Sequence, residues 1–173
     1  MEKDALQFSH GFENSIEIEA DKVRICQVIS NLINNAIKSI DDVEKLAGER
    51  TGEIIVSMRC AKSYQQPPCY NYQIEYDNGY DDNKYREEHD KNDRTIPPNA
   101  VAIVSITDTG RGIDLEILPR LFTKFTTNFK TGTGLGLFIS KSIVEAYKGK
   151  IWAYNNKGRR GTTFQFSLPL KIQ

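Results

Sequence analysis

Residues 132–149 read GTGLGLFISKSIVEAYKG. Two signals share this stretch. Glycines at 132, 134 and 136 precede a helix; such residues leave backbone N–H groups unobstructed in front of the positive end of the helix dipole. From 135 to 147 apolar residues recur at helical spacing, and the pattern stops at Gly149, read as the residue just past the helix end. The spacing is neither the GxGxxG of a dinucleotide fold nor the GxxxxGK[ST] of a P-loop. Taken alone, the stretch is an anion cradle or a flexible glycine hinge.

Towards the C-terminus, residues 150–155 and 163–168 read as a hairpin turning through Gly158 and Gly161, with Phe164, Phe166 and Leu168 on one face. Upstream, VAIVSIT at 101–107 and EIIVSMRC at 53–60 read as strands, and SIEIE at 15–19 as a short half-buried one. Asp21 reads as an N-cap. Behind it, over 25–40, Ile25, Val28, Leu32, Ala36 and Ile40 lead an apolar half-wheel. The other half carries Gln27, Asn31, Asn34 and Lys38, with Asn35 on the border. Residues 115–121 read as a further helical stretch. Strands and helices interleave but the last strands pair through a tight turn. That pattern predicts an α+β sandwich with a mixed or antiparallel sheet and helices on one face.

At 173 residues the chain is one domain's worth, able to bury a core. Lys plus Arg equal Asp plus Glu at 23 each, so no net field draws in nucleic acid or an anionic membrane. Local backbone donors can still hold one bound phosphate. Three cysteines and two histidines follow no metal-ligand spacing, which disfavours structural zinc and suits a reducing, cytoplasmic setting. No apolar run approaches the roughly 18 residues of a membrane span, and no signal peptide is legible. Residues 61–100 form a polar insertion with six of the eight tyrosines. Residues 71–76 could add a strand there, and the remainder reads as a surface excursion.

Three elements carry chemistry. Asn31 and Asn35, at i and i+4, stack their amides on one side of a helix. Amide oxygens suit a hard cation such as Mg²⁺ that takes its other ligands from phosphates and water. Lys38 lies one turn on. In DTGRG at 108–112, a carboxylate ends an apolar strand and two glycines let a planar ring or the chain approach closely. The third element is the glycine-rich helix start. Each has a plain structural alternative: a solvated polar face, an Asp-Thr-Gly turn, a hinge. Their order together is far more specific.

NLINNAIKSI at 31–40 resembles the N box of the histidine-kinase branch of the GHKL ATPases. DTGRGID at 108–114 resembles its G1 box, LFTKF at 121–125 its F box, the opening stretch its G2 box and RRGTTFQFSLP at 159–169 its G3 end. The resemblance covers about 21–169, interrupted by the insertion. It implies a two-layer Bergerat-type sandwich holding ATP between the helical layer and a mobile lid over 122–133. Carried over by position, Asp108 binds the adenine amine, helped by Gly110, Gly112 and Thr162. Asn35 ligates Mg²⁺ with Asn31 beside it, and Lys38 touches phosphate. Gly132, Thr133, Gly134, Leu135, Gly136 and Leu137 line the triphosphate. Lys124, Thr126, Thr127 and Lys130 are the candidates for the γ-phosphate, Lys124 in a catalytic role. Phe122 and Phe125 seat the lid by packing.

The implied activity is phosphoryl transfer from Mg-ATP to a histidine on a separate domain, then to a response-regulator receiver, in a homodimeric parent. His10 is followed by Gly11 and Phe12 rather than an acceptor context and stands 21 residues before Asn31. His89 lies in the insertion. Neither reads as the phospho-acceptor, so the acceptor domain is expected elsewhere. The gyrase-like and chaperone-like hydrolases of the superfamily place a water-activating carboxylate where this chain has Asn31, which speaks against hydrolysis. A serine kinase of the superfamily, or a nucleotide-sensing module that signals by lid ordering, are the other readings.

Overall fold

The computed structural model describes residues 6–8, 16–47, 52–61, 99–126 and 132–171. Most of the polar insertion, including the strand expected over 71–76, and also His10, His89, Thr127 and Lys130 lie outside the described residues.

Strand β1 (Leu6–Phe8) pairs antiparallel with β2 (Ile16–Ile18). Helix α1 (Lys22–Ala47) follows. Asp21 caps it as its sequence predicts, Oδ1 accepting from the N–H groups of Val23 at 2.8 Å and Arg24 at 3.2 Å. The helix runs past the expected 40. Then come β3 (Ile54–Ala61), β4 (Val101–Asp108), helix α2 (Gly136–Ala146), β5 (Lys150–Asn155) and β6 (Thr162–Pro169). The last four strands form one sheet in the order β3-β4-β6-β5, antiparallel at every pairing.

Strand alternation decides which residues meet the helices. Register pairs Ala102 with Leu168, Val104 with Phe166 and Ile106 with Phe164. Those residues face α1 and α2, where Val28, Leu32, Ala36 and Val144 are fully buried beside Phe166 and Ile106. Burying each such large side chain contributes about 1.5–3 kcal/mol. The opposite face of the sheet carries a small cluster of Val101, Ile103 and Trp152. Beside it runs a polar ladder: the Trp152 indole N–H donates to Gln165 at 2.9 Å, and the Gln165 amide to Ser105 at 2.8 Å.

Three local expectations are corrected. Residues 115–121 are turns around a single 3₁₀ turn, Leu118–Arg120, because Pro119 supplies no N–H to extend a helix. Gly149 is the second residue past the C-cap Tyr147 rather than the first. Lys148 takes the left-handed conformation (φ 60°), its N–H bonds Glu145 O at 2.9 Å, and that of Gly149 bonds Val144 O at 3.0 Å, a Schellman ending. Gly149 is needed for contact, since a Cβ there would overlap Ser167 O of β6. Phe122 packs on the core, but Phe125 does not: it is 74% exposed with φ 63°.

Candidate functional site

Even-numbered residues of β4 point at the helices, so the same alternation that buries Ile106 sends Asp108 inward, where it is 1% exposed. Its Oδ1 accepts from the N–H groups of Gly110 at 2.8 Å and Thr162 at 3.3 Å. Its Oδ2 is the one buried side-chain oxygen or nitrogen among the described residues that has no hydrogen-bond partner. A buried carboxylate oxygen without a donor is costly, and such exceptions mark places where a ligand supplies the missing group. Burial pushes the Asp108 carboxyl above its ordinary pKa, against the pull of the two backbone bonds.

Gly110 has no room for a side chain: a Cβ would overlap Ser39 Oγ on α1. The same hydroxyl accepts from Arg111 N–H at 3.1 Å, and Arg111 Nη1 lies 3.5 Å from Asp42 Oδ2. The loop after β4 is thereby seated on the helix.

Asp108 is one of the residues lining a cavity of about 250 Å³. Asn31, Asn34, Asn35, Lys38 and Ser39, one face of α1, form a wall of that cavity. The Asn31 amide donates to Gly136 O and Ser140 Oγ, both at 3.2 Å. With both N–H groups spent, what Asn31 offers the cavity is its oxygen. Opposite stand Gly132, Thr133, Gly134, Gly136 and Leu137 at the start of α2. Leu135 occupies the N-cap without a side-chain bond, and no acidic residue lies in the first turn. Uncapped N–H groups and the dipole make this a ready anion site. Gly134 holds φ 67°, and its carbonyl accepts from Phe125 N–H at 3.0 Å.

Of the residues singled out from sequence, Gly112, Thr126 and Thr162 also line the cavity. Gly110 and Leu135 do not line it. Lys124 does not line the cavity: its ammonium lies over the Phe138 ring, 4.9 Å from the centroid. The sequence reading missed Ser39, Arg111 and an apolar floor of Ile113, Ile117, Leu121 and Phe164. Ser39 was within reach, four residues beyond Asn35 on the same helical face. The floor was not, because its four residues come from two separate segments. Among the described residues no group of three or more His, Cys, Asp or Glu is placed to hold a metal.

The family model of histidine kinase-, DNA gyrase B- and HSP90-like ATPases matches residues 20–172. The chain belongs to that family. Within the family its likenesses are to histidine kinases. It is 32% identical over 150 residues to the sensor protein FixL of Bradyrhizobium diazoefficiens, covering 87% of this chain and 21% of that protein. It is 31% identical over 163 residues to histidine kinase 5 of Arabidopsis thaliana, covering 91% and 15%. The solved catalytic domain of histidine kinase ThkA, nucleotide-free, superposes with TM-score 0.55 at 26% identity, covering 88% of this chain and 70% of that one. The chain thus spans about a fifth or less of the length of these two relatives. It is an ATP-binding catalytic domain of the sensor histidine-kinase type. Among the described residues no helix is long and apolar enough to cross a membrane.

Proposed function

We propose that this domain holds Mg-ATP in the cavity between α1 and α2 and passes its γ-phosphoryl group to a histidine on a separate domain. The observation that carries the reading is the unpartnered Oδ2 of Asp108, a residue that lines the cavity together with the uncapped start of α2. The residues present fit the nucleotide. An exocyclic amine meets the acceptor Asp108 lacks a donor for, and a planar base meets the floor of Ile113, Ile117, Leu121 and Phe164. Phosphate oxygens meet the backbone N–H groups of 132–137 and the Lys38 ammonium. A divalent ion is suited by the amide oxygens of Asn31 and Asn35 together with phosphate and water. Bound there, it would neutralise the charge that the transferring group develops.

The protein's part is to position and to exclude alternatives. Asp108 is the one carboxylate among the described residues lining the cavity, and it serves the base. Among the described residues no second carboxylate lines the cavity beside the α1 amides to activate water, which supports transfer over hydrolysis. The nucleophile comes from the acceptor histidine. Thr126, beside the cavity, and Thr127, Lys130 and Lys124 remain the candidates to follow the γ-phosphate, Lys124 only by leaving Phe138. A dimeric parent and a receiver domain downstream complete the relay.

The test is transfer of γ-labelled phosphate from Mg-ATP to the parent's acceptor domain. Acid-labile, base-stable label on that domain is expected. Label released only as inorganic phosphate, whether or not acceptor is present, would overturn the proposal.

A further inference from the structure

Residues 155 and 156 are two adjacent asparagines where β5 ends, and neither lines the cavity. Both reach across to the loop after β4. Asn155 Oδ1 accepts from Ile113 N–H at 2.7 Å and its Nδ2 donates to Ile113 O at 2.8 Å. One side chain thus satisfies both backbone groups of one residue, as a neighbouring strand would. Asn156 Nδ2 donates to Asp108 O at 2.9 Å and, more weakly, to Arg160 O at 3.4 Å. Its Oδ1 accepts from Thr163 Oγ1 at 2.7 Å, and Thr163 Oγ1 is 2.9 Å from Thr107 Oγ1. The last residue of β4, Asp108, and Ile113 in the loop beyond it are therefore held by consecutive side chains on one strand end.

The primary amide supplies a donor and an acceptor at this reach, whereas an Asp carboxylate at either position keeps only the accepting half and a Ser hydroxyl is too short to make both bonds. The fit is close: Gly112 holds φ 85°, and a Cβ on it would come within 3.1 Å of Asn155 Oδ1. At Gly161 a Cβ would overlap Asp108 O, the oxygen Asn156 binds. Because Asp108 O and Asp108 Oδ2 belong to one residue, restraining the main chain restrains where the unpaired oxygen points.

We propose that Asn155 and Asn156 are positioning residues for base recognition, clamping residues 108–113 so that Asp108 Oδ2 stays aimed at the donor edge of the base. The inference rests on the nucleotide reading above. Its consequence is selective. Loosening the clamp harms the amine contact and leaves the phosphate contacts of α1 and α2 in place.

The experiment titrates ATP and purine riboside triphosphate, which lacks the 6-amine, into wild type, Asn155→Ala and Asn156→Ala, with thermal melts alongside. Wild type should prefer ATP. In each variant ATP affinity should fall about tenfold, from loss of directed hydrogen bonding at one buried acceptor. The affinity for the amine-free analogue should change less than about twofold, so the preference collapses. If the Ala variants lose their cooperative melt, Asn155→Ser and Asn156→Ser carry the same expectation with a smaller drop. Equal losses for both nucleotides, or none for either, would overturn the positioning role. A wild type that binds both nucleotides equally would instead overturn the assignment of Asp108 to the base.

Discussion

Replacing Asp108 by Asn changes one atom where the structure is most exacting. The Asn carbonyl can take over the Oδ1 bonds to Gly110 and Thr162 N–H. The amide NH₂ then stands where the unpaired Oδ2 was. An incoming amine would meet a donor instead of an acceptor. The loss combines a charge-assisted hydrogen bond, about 1.5–3 kcal/mol, with donors left unsatisfied in a buried site. We take about 2–4 kcal/mol in all, or roughly 30- to 900-fold in affinity for ATP. Folding should not suffer, because Asn removes a charge that burial disfavours. The same donor suits a 6-oxo purine, so the preference for ATP over inosine triphosphate should invert. Calorimetric titration of both nucleotides, with the melting temperature as control, decides it. Unchanged ATP affinity in a folded Asp108→Asn domain would refute the reasoning.

Asn35→Ala should weaken Mg-ATP by about tenfold or more (~1.4 kcal/mol) and metal-free ATP much less; equal losses in titrations with and without Mg²⁺ would remove Asn35 from the ion. Acidification should weaken ATP binding as Asp108 takes up a proton at a higher pH than an ordinary aspartate, its carboxyl being raised by burial. For the unliganded fold the sign reverses: Asp108's contribution is most favourable below the unfolded pKa and declines as pH rises through the window up to the raised folded value. Asp108→Asn should flatten both profiles, which titrations and urea unfolding across acidic pH will show. Gly134→Ala adds a Cβ 2.5 Å from Phe125 C at φ 67°. It should cost about 1–2 kcal/mol or more in unfolding free energy, together with a loss of ATP affinity. Phe166→Ala, in the fully buried centre, should cost about 3–5 kcal/mol in urea unfolding, and a loss under 1 kcal/mol would contradict its placement.

What the sequence disclosed, and what it did not, follows the range of the interactions involved. The α1 register was legible because Val28, Leu32 and Ala36 repeat at the helical period and are fully buried. Fixing that register also fixed where Asn31, Asn35 and Lys38 point. Asp108 was legible because strand alternation carries it to the same side as Ile106. The antiparallel order of the whole sheet was left open by pattern alone, since β3 and β4 are far apart in sequence. Phe125 was misjudged because composition alone suggests packing. Its left-handed backbone and its bond to Gly134 turn the ring outward instead. The Asn155–Ile113 and Asn156–Asp108 bonds span 42 and 48 residues, and a side chain binding remote backbone leaves no periodic trace.

The Asn31 amide joins the two walls of the cavity, reaching from α1 to Gly136 and Ser140 on α2. Under the nucleotide reading, the ion-facing oxygen and the polyphosphate-facing helix start share that single joint. Occupancy on one side then biases the geometry on the other. By thermodynamic reciprocity the help is mutual: divalent ion tightens grip on polyphosphate by the same factor that polyphosphate tightens grip on ion. Loading is in that sense cooperative within one pocket, and Asn31→Ala would remove both the joint and one of the oxygens offered to the ion.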